Sequence, residues 1–215
     1  SLGLVGSEMC IRDRLLTLPI ATTDGHGALF TDALFTSTSA VCVTGLVLHD
    51  TATYWAPFGQ FIIMLLIQIG GMGVVTVAVA IAVVSGRKIG LMQRSTMQEA
   101  IAAPQVGGIV RLTEFILKMT ITIEGLGAAV MAPVFCREFG FLKGIWYAVF
   151  HSVSAFCNAG FDLMGVRAAF SSLTTYAGQP VINLAIMFLI VFGGIGFLTW
   201  EDITVHGLHF KKYRM

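Results

Sequence analysis

Residues 56–85, APFGQFIIMLLIQIGGMGVVTVAVAIAVVS, contain no charged side chain, and their only strongly polar groups are Gln60 and Gln68. A helix that crosses a bilayer needs about 20 mainly apolar residues, so this run is long enough to span one. The whole chain agrees, because 56% of its residues are hydrophobic, only 12% are charged, and its mean hydropathy is +0.83. Such values exclude an ordinary soluble domain. The sequence therefore predicts an integral membrane protein that contacts the lipid bilayer.

Two further segments are long and apolar enough to span a membrane. Residues 115–135 carry Lys118 and Glu124 inside an apolar run, and residues 180–200 carry no charge. Residues 28–46 and 144–161 are also apolar, but each segment ends in small and polar residues around a glycine. Short segments of this kind are re-entrant or interfacial candidates. We expect three spans and two segments that dip into the membrane.

Basic residues predict the orientation of these spans. The connection after the first span and the tail after the third are both rich in Lys and Arg, so both should be cytoplasmic. These residues are Arg87, Lys88, Arg94 and Arg111, then Lys211, Lys212 and Arg214. The two short segments then enter and leave on the outer side. A net charge of +1 gives no basis for a nucleic-acid partner.

The chain contains an internal repeat. FTSTSAVCVTGL (residues 35–46) aligns with FHSVSAFCNAGF (residues 150–161) at an offset of 115, with six of twelve positions identical. The following spans align at an offset of 123, where GGMGVVT (residues 70–76) falls on GGIGFLT (residues 193–199). Both units run in the same direction along the chain. We call them the first and second copy.

The end of each short segment has the chemistry of an ion pathway. Non-helical backbone at membrane depth occurs only where protein or water surrounds it, and rings of backbone carbonyls can replace the hydration shell of a monovalent cation. A glycine lets the backbone adopt positive φ and aim its carbonyls. The alternative is a re-entrant loop that only fills space. The GGxG motifs are explained by close helix packing, or by bending beside a pore.

Several other residues are candidates for a functional role. Glu124 is a candidate intramembrane charge. Asp50, Asp162 and Asp32 are candidates for the outer mouth, where their field would concentrate cations. His151 shows no metal-ligand spacing and is expected to be a hydrogen-bonding core residue. Cys42 and Cys157 flank the loops and are expected to behave as small hydrophobic side chains. Because the spans offer no partner carboxylate for Glu124, we expect no enzyme activity.

The segments TSTSAVCVTGLVLHDT, QIGGMGVVT and FHSVSAFCNAGFDLMG resemble the Trk/Ktr/HKT superfamily of potassium transporters. The resemblance runs from about residue 17 to the end. It implies a potassium-channel-like fold in which four membrane–pore–membrane repeats surround one pore. It also implies that backbone carbonyls of the filter segments bind K⁺, or Na⁺ in some relatives. Those residues are Val43, Thr44 and Gly45 in the first copy and Asn158, Ala159 and Gly160 in the second.

The fold expected from the resemblance is all-α and integral to the membrane, with tandem repeats, re-entrant pore helices and extended filter loops. Residues 1–14 are set aside as a non-native or disordered start. Residues 15–86 form a first repeat with a truncated outer helix, a pore helix at 28–41, a filter at 42–46 and an inner helix at 56–85. Residues 87–110 form a cytoplasmic linker. Residues 111–203 form the second repeat, with an outer helix at 112–135, a pore helix at 144–156, a filter at 157–161 and an inner helix at 180–201. Residues 204–215 lead toward a third repeat.

The expected function is potassium uptake across the plasma membrane, the bacterial inner membrane, by a multi-pass protein. Two repeats cannot ring an ion, so we expect this chain to be about the first half of a transporter. The resemblance further implies a homodimer of the complete chain and a cytosolic nucleotide-binding regulatory subunit. Three alternatives stay open: a non-conducting membrane scaffold or subunit, a sodium-selective relative, and a relative that cotransports Na⁺ and K⁺.

Overall fold

The computed structural model describes residues 14–73 and 109–206. Within these stretches the fold is helical, and the only β-type pairing is a single antiparallel bridge between Thr22 and Trp55. The helices are α1 (Phe30–Val41), α2 (Thr51–Tyr54), α3 (Pro57–Met72), α4 (Ile109–Phe139), α5 (Phe141–Phe156), α6 (Pro180–Gly194) and α7 (Phe197–His206). Short 3-10 turns occupy Pro19–Ala21, Met164–Val166 and Ser172–Tyr176. This content agrees with the all-α membrane protein predicted from the sequence.

The helices begin where local chemistry favours a start. Pro57 and Pro180 stand at the first positions of α3 and α6, where the missing N–H costs no hydrogen bond. Asp50 caps α2, because its carboxylate accepts hydrogen bonds from the N–H groups of Ala52 and Thr53. Pro57 and Pro180 are 123 residues apart, so the two copies start these helices at equivalent positions.

Helix α4 is longer than predicted. The expected outer helix at 112–135 lies within a helix of 31 residues, Ile109–Phe139, which accommodates Pro133 in its interior. Its segment Leu112–Phe139 is the one helix among the described residues that is long and apolar enough to cross a bilayer by length and composition. The second copy therefore contains one clear candidate span.

The prediction of one continuous inner helix at 180–201 is wrong. Helix α6 ends at Gly194, and α7 begins at Phe197 after a break at Ile195 and Gly196. Gly196 has a φ of +89°, which an α-helix cannot contain. The 15 residues of α6 measure about 22 Å at 1.5 Å per residue, less than the roughly 30 Å of a bilayer core.

The first helix of the first copy's GGxG segment ends at the equivalent position. Helix α3 ends at Met72, and Gly73 follows with a φ of +84°. The remainder of the predicted inner helix, residues 74–85, lies outside the described residues. So do residues 1–13, residues 87–108 of the predicted linker, and the tail from 207 onward, with their basic residues.

The helices pack so that the two copies share one core. In the first copy α1 packs on α3, in the second α4, α5 and α6 pack on one another, and α3 packs on α5 between copies. The buried amide of Gln60 reinforces that last contact. Its oxygen accepts a hydrogen bond from Trp146 Nε1 at 2.9 Å, and its nitrogen donates to the Trp55 carbonyl at 2.9 Å. This core brings the ends of α1 and α5 together.

Candidate ion-binding site

The residues that follow α1 and those that follow α5 have matching φ angles. Val43 and Asn158, 115 residues apart, have φ values of +55° and +58°. Gly45 and Gly160, again 115 apart, both have a φ of +73°. A regular strand would alternate its groups from side to side, and left-handed residues interrupt that alternation. The aligned sequences therefore fold into matching loops, which we call loop 1 (residues 42–46) and loop 2 (residues 157–161).

The same hydrogen bonds hold both loops to their helices. The N–H of Thr44 donates to the Ser39 carbonyl at 3.0 Å, and the N–H of Ala159 donates to the Ser154 carbonyl at 2.8 Å. Ser39 Oγ donates to the Leu46 carbonyl at 2.6 Å. Ser154 Oγ donates to the Phe161 carbonyl, also at 2.6 Å. Each loop is thus fixed at its beginning by backbone and at its end by a serine hydroxyl.

These bonds leave the carbonyl groups at the centre of each loop unused. Six backbone oxygens of the loops accept no hydrogen bond from any described residue. They belong to Val43, Thr44, Gly45, Asn158, Ala159 and Gly160. Val43 and Gly45 are half-buried and Ala159 is buried, and carbonyls in such places normally have a partner, whereas Thr44, Asn158 and Gly160 are exposed. Groups of this type are the ligands that replace water around monovalent cations.

The two loops lie against each other. A Cβ added to Gly45 would lie 2.7 Å from the carbonyl oxygen of Ala159, and one added to Gly160 would lie 3.5 Å from Gly45 Cα. The first distance is too short for any side chain, whereas the second is an ordinary contact. Gly45 is therefore required by both its φ and its neighbour, and Gly160 by its φ.

Glycines of the GGxG motifs bring α3 and α6 against the ends of α1 and α5, respectively. A Cβ at Gly70 would collide with the Val41 carbonyl, and one at Gly193 would collide with the Phe156 carbonyl. Val41 and Phe156 are the last residues of α1 and α5. The close packing predicted for these motifs is present, and the last glycine of each motif lies just beyond the end of its helix with a positive φ.

Val43 and Asn158 both adopt the left-handed conformation, but their side chains differ in how well they tolerate it. Asparagine tolerates positive φ, but for a β-branched residue such as valine it is an outlier. Strain of this kind costs about 1–3 kcal/mol and is found at functional sites. Cys42 and Cys157 precede these residues as the C-caps of α1 and α5. Cys42 is exposed, whereas Cys157 is buried beside Gly71.

His151 supports loop 2 from behind. Its side chain is 2% exposed and stacks on Phe135. Its Nδ1 lies 2.7 Å from the Tyr147 carbonyl, and its Nε2 accepts the N–H of Leu163 at 3.3 Å. Because one nitrogen faces an acceptor and the other a donor, the geometry requires a neutral imidazole with its proton on Nδ1. The residue lies in the core and forms hydrogen bonds, as the sequence predicted.

Asp50, a candidate for the outer mouth, is buried and fully engaged. Besides capping α2, it accepts the N–H of Phe170 at 2.9 Å. Its carboxylate fills the space beside Gly165, where a side chain would collide. The carboxylate therefore ties α2 of the first copy to the segment that contains Gly165 and Phe170 in the second.

Asp162 lies beside a cavity of about 200 Å³ that also touches His151, Asn158 and Gly160. It accepts the N–H of Met164 at 2.8 Å. Burial raises the pKa of Asp162, and the nearby charge of Asp50 adds to the rise. Asp32, the third mouth candidate, pairs with His49 at 2.9 Å.

Glu124 lies on α4, away from the loop carbonyls, where it contacts α3 of the first copy and α5 of the second. It is 9% exposed, its Oε2 accepts a hydrogen bond from Gln68 Nε2 at 3.2 Å, and its backbone carbonyl accepts one from Ser152 Oγ at 2.7 Å. The structure thus places Glu124 between helices rather than at the carbonyl cluster.

Two features that hold the loops were not predicted from the sequence: the hydroxyls of Ser39 and Ser154, and the hydrogen bond that His151 accepts from Leu163. Ser39 and Ser154 are identical in the two copies, and that identity was a signal that they hold the loops. The acceptor role of His151 had no sequence signal, because its counterpart in the first copy is Thr36.

Comparison with known proteins places these features in a family. A family model described as "TrkH: Cation transport protein" matches residues 5–215. The chain belongs to the TrkH family. The match begins within the residues that the sequence analysis set aside at the start of the chain.

Relatives of this TrkH-family chain carry names of ion uptake proteins. It is 43% identical to the potassium/sodium uptake protein NtpJ of Enterococcus hirae, over 88% of this chain and 41% of that protein. It is 43% identical to the Ktr system potassium uptake protein B of Bacillus subtilis, over 94% of this chain and 43% of that protein. The Ktr system potassium uptake protein B of Vibrio alginolyticus is 35% identical, over 91% of this chain and 42% of that protein. The chain spans about two fifths of the length of these relatives.

Proposed function

We propose that the protein takes up potassium ions across the plasma membrane through a channel-like pore, and that this chain supplies two of the segments that line it. The observation that carries the proposal is the pair of adjacent loops with matching dihedral angles and six unpaired backbone carbonyls. The names of the relatives, which refer to potassium uptake, support the choice of ion.

In this proposal the fold consists of tandem membrane–pore–membrane repeats. Helices α1 and α5 are the re-entrant pore helices, loops 1 and 2 are filter segments, and the multi-pass chain lies in the bacterial inner membrane. Two filter segments do not surround an ion, so further copies of the unit complete the ring in the longer protein.

A comparison of α3 with α6 supports the proposal that further units complete the ring. Gln68 and Gly71 of α3 contact Glu124 and Cys157 of the second copy. Their equivalents on α6, at an offset of 123, are Val191 and Gly194. Val191 is 56% exposed, and no atom lies within 4 Å of a Cβ added to Gly194. In the complete pore a third unit would pack on this face as the second packs on α3.

We further propose that the complete chain forms a homodimer and binds a cytosolic nucleotide-binding subunit, as the family resemblance implies. Sodium is a second candidate ion, favoured by the name of the NtpJ relative, which includes sodium. In that case Na⁺ is either selected by the same loops or cotransported with K⁺.

The test is growth of a bacterium that lacks its own potassium uptake systems, expressing the complete gene that carries this sequence. We expect growth at low potassium with the wild type and loss of potassium selectivity with Gly160→Ser, because serine disfavours the φ of +73°. Gly178→Ser is the matched control, since nothing lies within 4 Å of a Cβ at Gly178 and its φ is not left-handed.

Three outcomes separate the alternatives. Failure of the wild type to support growth despite membrane insertion contradicts potassium uptake and favours a scaffold. Uptake that requires or prefers sodium favours the second candidate ion. Unchanged selectivity in Gly160→Ser contradicts the role given to loop 2.

A further inference from the structure

Glu124 and Gln68 form a buried polar contact whose hydrogen bonding is incomplete. Gln68 Nε2 donates to Glu124 Oε2 at 3.2 Å. The other carboxylate oxygen, Glu124 Oε1, and the amide oxygen, Gln68 Oε1, are both buried and have no hydrogen-bond partner in the described part of the chain. Unsatisfied buried groups of this kind call for an explanation.

Among the described residues, none supplies a compensating positive charge to the pair. Lys118, on the same helix, is exposed and pairs with Glu114 at 2.7 Å. Helix α5 contributes the Ser152 hydroxyl, which donates to the Glu124 backbone carbonyl, and loop 2 contributes the Cys157 thiol, which lies close enough to interact electrostatically with Glu124. Helix α3 contributes Gln68. An ionised carboxylate with a single amide hydrogen bond is costly in such a place.

We propose that Glu124 is a proton-binding site, in which a proton on Oε1 closes a cyclic acid–amide pair with Gln68. Gln68 Nε2–H donates to Glu124 Oε2, as observed, and Glu124 Oε1–H donates to Gln68 Oε1. A carboxylic acid has one donor and retains acceptor capacity, and an amide has both, so the two groups are complementary. One proton thereby satisfies both unpaired oxygens and removes the buried charge.

The position of the pair gives it a consequence for loops 1 and 2. Gln68 precedes Gly70 and Gly71, which pack against the end of α1 and against Cys157. Glu124 in turn is bound to α5 through Ser152. The neutral pair therefore joins α3 to α4, whose Glu124 carbonyl is held to α5, within one helical turn of the glycines that contact Val41 and Cys157. Loss of the proton leaves a charge and unpaired oxygens in this contact, and we expect the contact to loosen.

Infrared difference spectroscopy of the complete purified protein tests the pair directly. At neutral pH we expect the carbonyl stretching band of a protonated carboxylic acid, which shifts on exchange into D₂O and disappears in Glu124→Gln. In Gln68→Leu, which removes the amide partner but keeps the acid, the band should shift to higher frequency. Absence of any acid band that depends on Glu124, with carboxylate bands in its place, would overturn the proposal.

The effect on transport is a separate measurement, and it alone rests on the proposed function. In vesicles we expect wild-type uptake of rubidium, a potassium substitute, to fall at alkaline pH as the proton is lost. Glu124→Gln should give a flatter profile, because an amide cannot lose a proton in this way. The matched control is Glu114→Gln on the exposed face of α4, which should keep the wild-type profile.

The outcomes distinguish the two proposals. An acid band without any wild-type ion uptake leaves the pair standing and contradicts the transport function. Ion uptake without the band contradicts the pair. A Glu124→Gln profile identical to that of the wild type contradicts the coupling between the pair and loops 1 and 2.

Discussion

At the scale of single residues, His151 determines how loop 2 continues. Its Nε2 accepts the N–H of Leu163, so the first residues beyond loop 2 are held to α5. Replacing His151 by Phe keeps a ring against Phe135 but leaves that N–H unpaired, which costs about 1–3 kcal/mol. His151→Gln keeps an oxygen that can accept the bond.

We expect His151→Phe to lower the potassium-over-sodium selectivity of the complete protein, and His151→Gln to retain more of it. Rubidium and sodium fluxes in vesicles measure the selectivity, and thermal unfolding reports stability separately. Equal selectivity in both variants and the wild type would contradict a positioning role. A shared loss of stability with unchanged selectivity would make His151 a packing residue only.

The glycines of the two loops could be predicted from the sequence, whereas the other left-handed residues could not. Gly45 and Gly160 are identical across the repeat, and a positive φ is the ordinary reason for a glycine in such a loop. Val43 is β-branched, so its side chain argues against a positive φ that surrounding structure nonetheless imposes. Asp50 shows the same limit, because a sequence cannot tell a mouth charge from a buried cap.

At the scale of helices, contact between each inner helix and the end of the preceding short helix depends on one glycine. Gly70 and Gly193 leave room for the carbonyls of Val41 and Phe156. Alanine at either position must push the helices apart, and overpacking of this kind typically costs about 1–3 kcal/mol. Because α1 and α5 carry loops 1 and 2, the displacement reaches the carbonyl cluster.

We expect Gly70→Ala and Gly193→Ala each to lower the unfolding temperature in detergent and to reduce ion uptake. Gly125→Ala is the control, because no atom lies within 4 Å of a Cβ there and alanine favours a helix. Wild-type stability and uptake in both test variants would show that these contacts are not needed.

The positions of the helices were more accessible to sequence analysis than their continuity. Hydropathy and Pro180 indicate where α6 begins. Hydropathy continues unchanged across Gly196, so nothing in the apolar pattern signals the break between α6 and α7. The break is a property of one backbone angle, and GGxG motifs also occur where helices only pack closely.

At the scale of the whole molecule, the two copies form one half of a proposed ring. The repeat in the sequence predicted two similar loops, and the structure shows matching dihedral angles and direct contact between them. The number of units in the proposed pore is implied by the family resemblance alone, because two copies do not define a closed arrangement. The exposed face of α6 is where a further unit would be added.

In the proposed function, the six loop carbonyls bind a monovalent cation. The most direct test is anomalous diffraction from crystals of the complete protein grown in rubidium or thallium(I) salts. We expect anomalous peaks within coordination distance of the carbonyls of Val43 to Gly45 and Asn158 to Gly160, and their loss when lithium replaces the heavy ion. Ordered loops with no peak between them, or peaks confined to other parts of the protein, would contradict it.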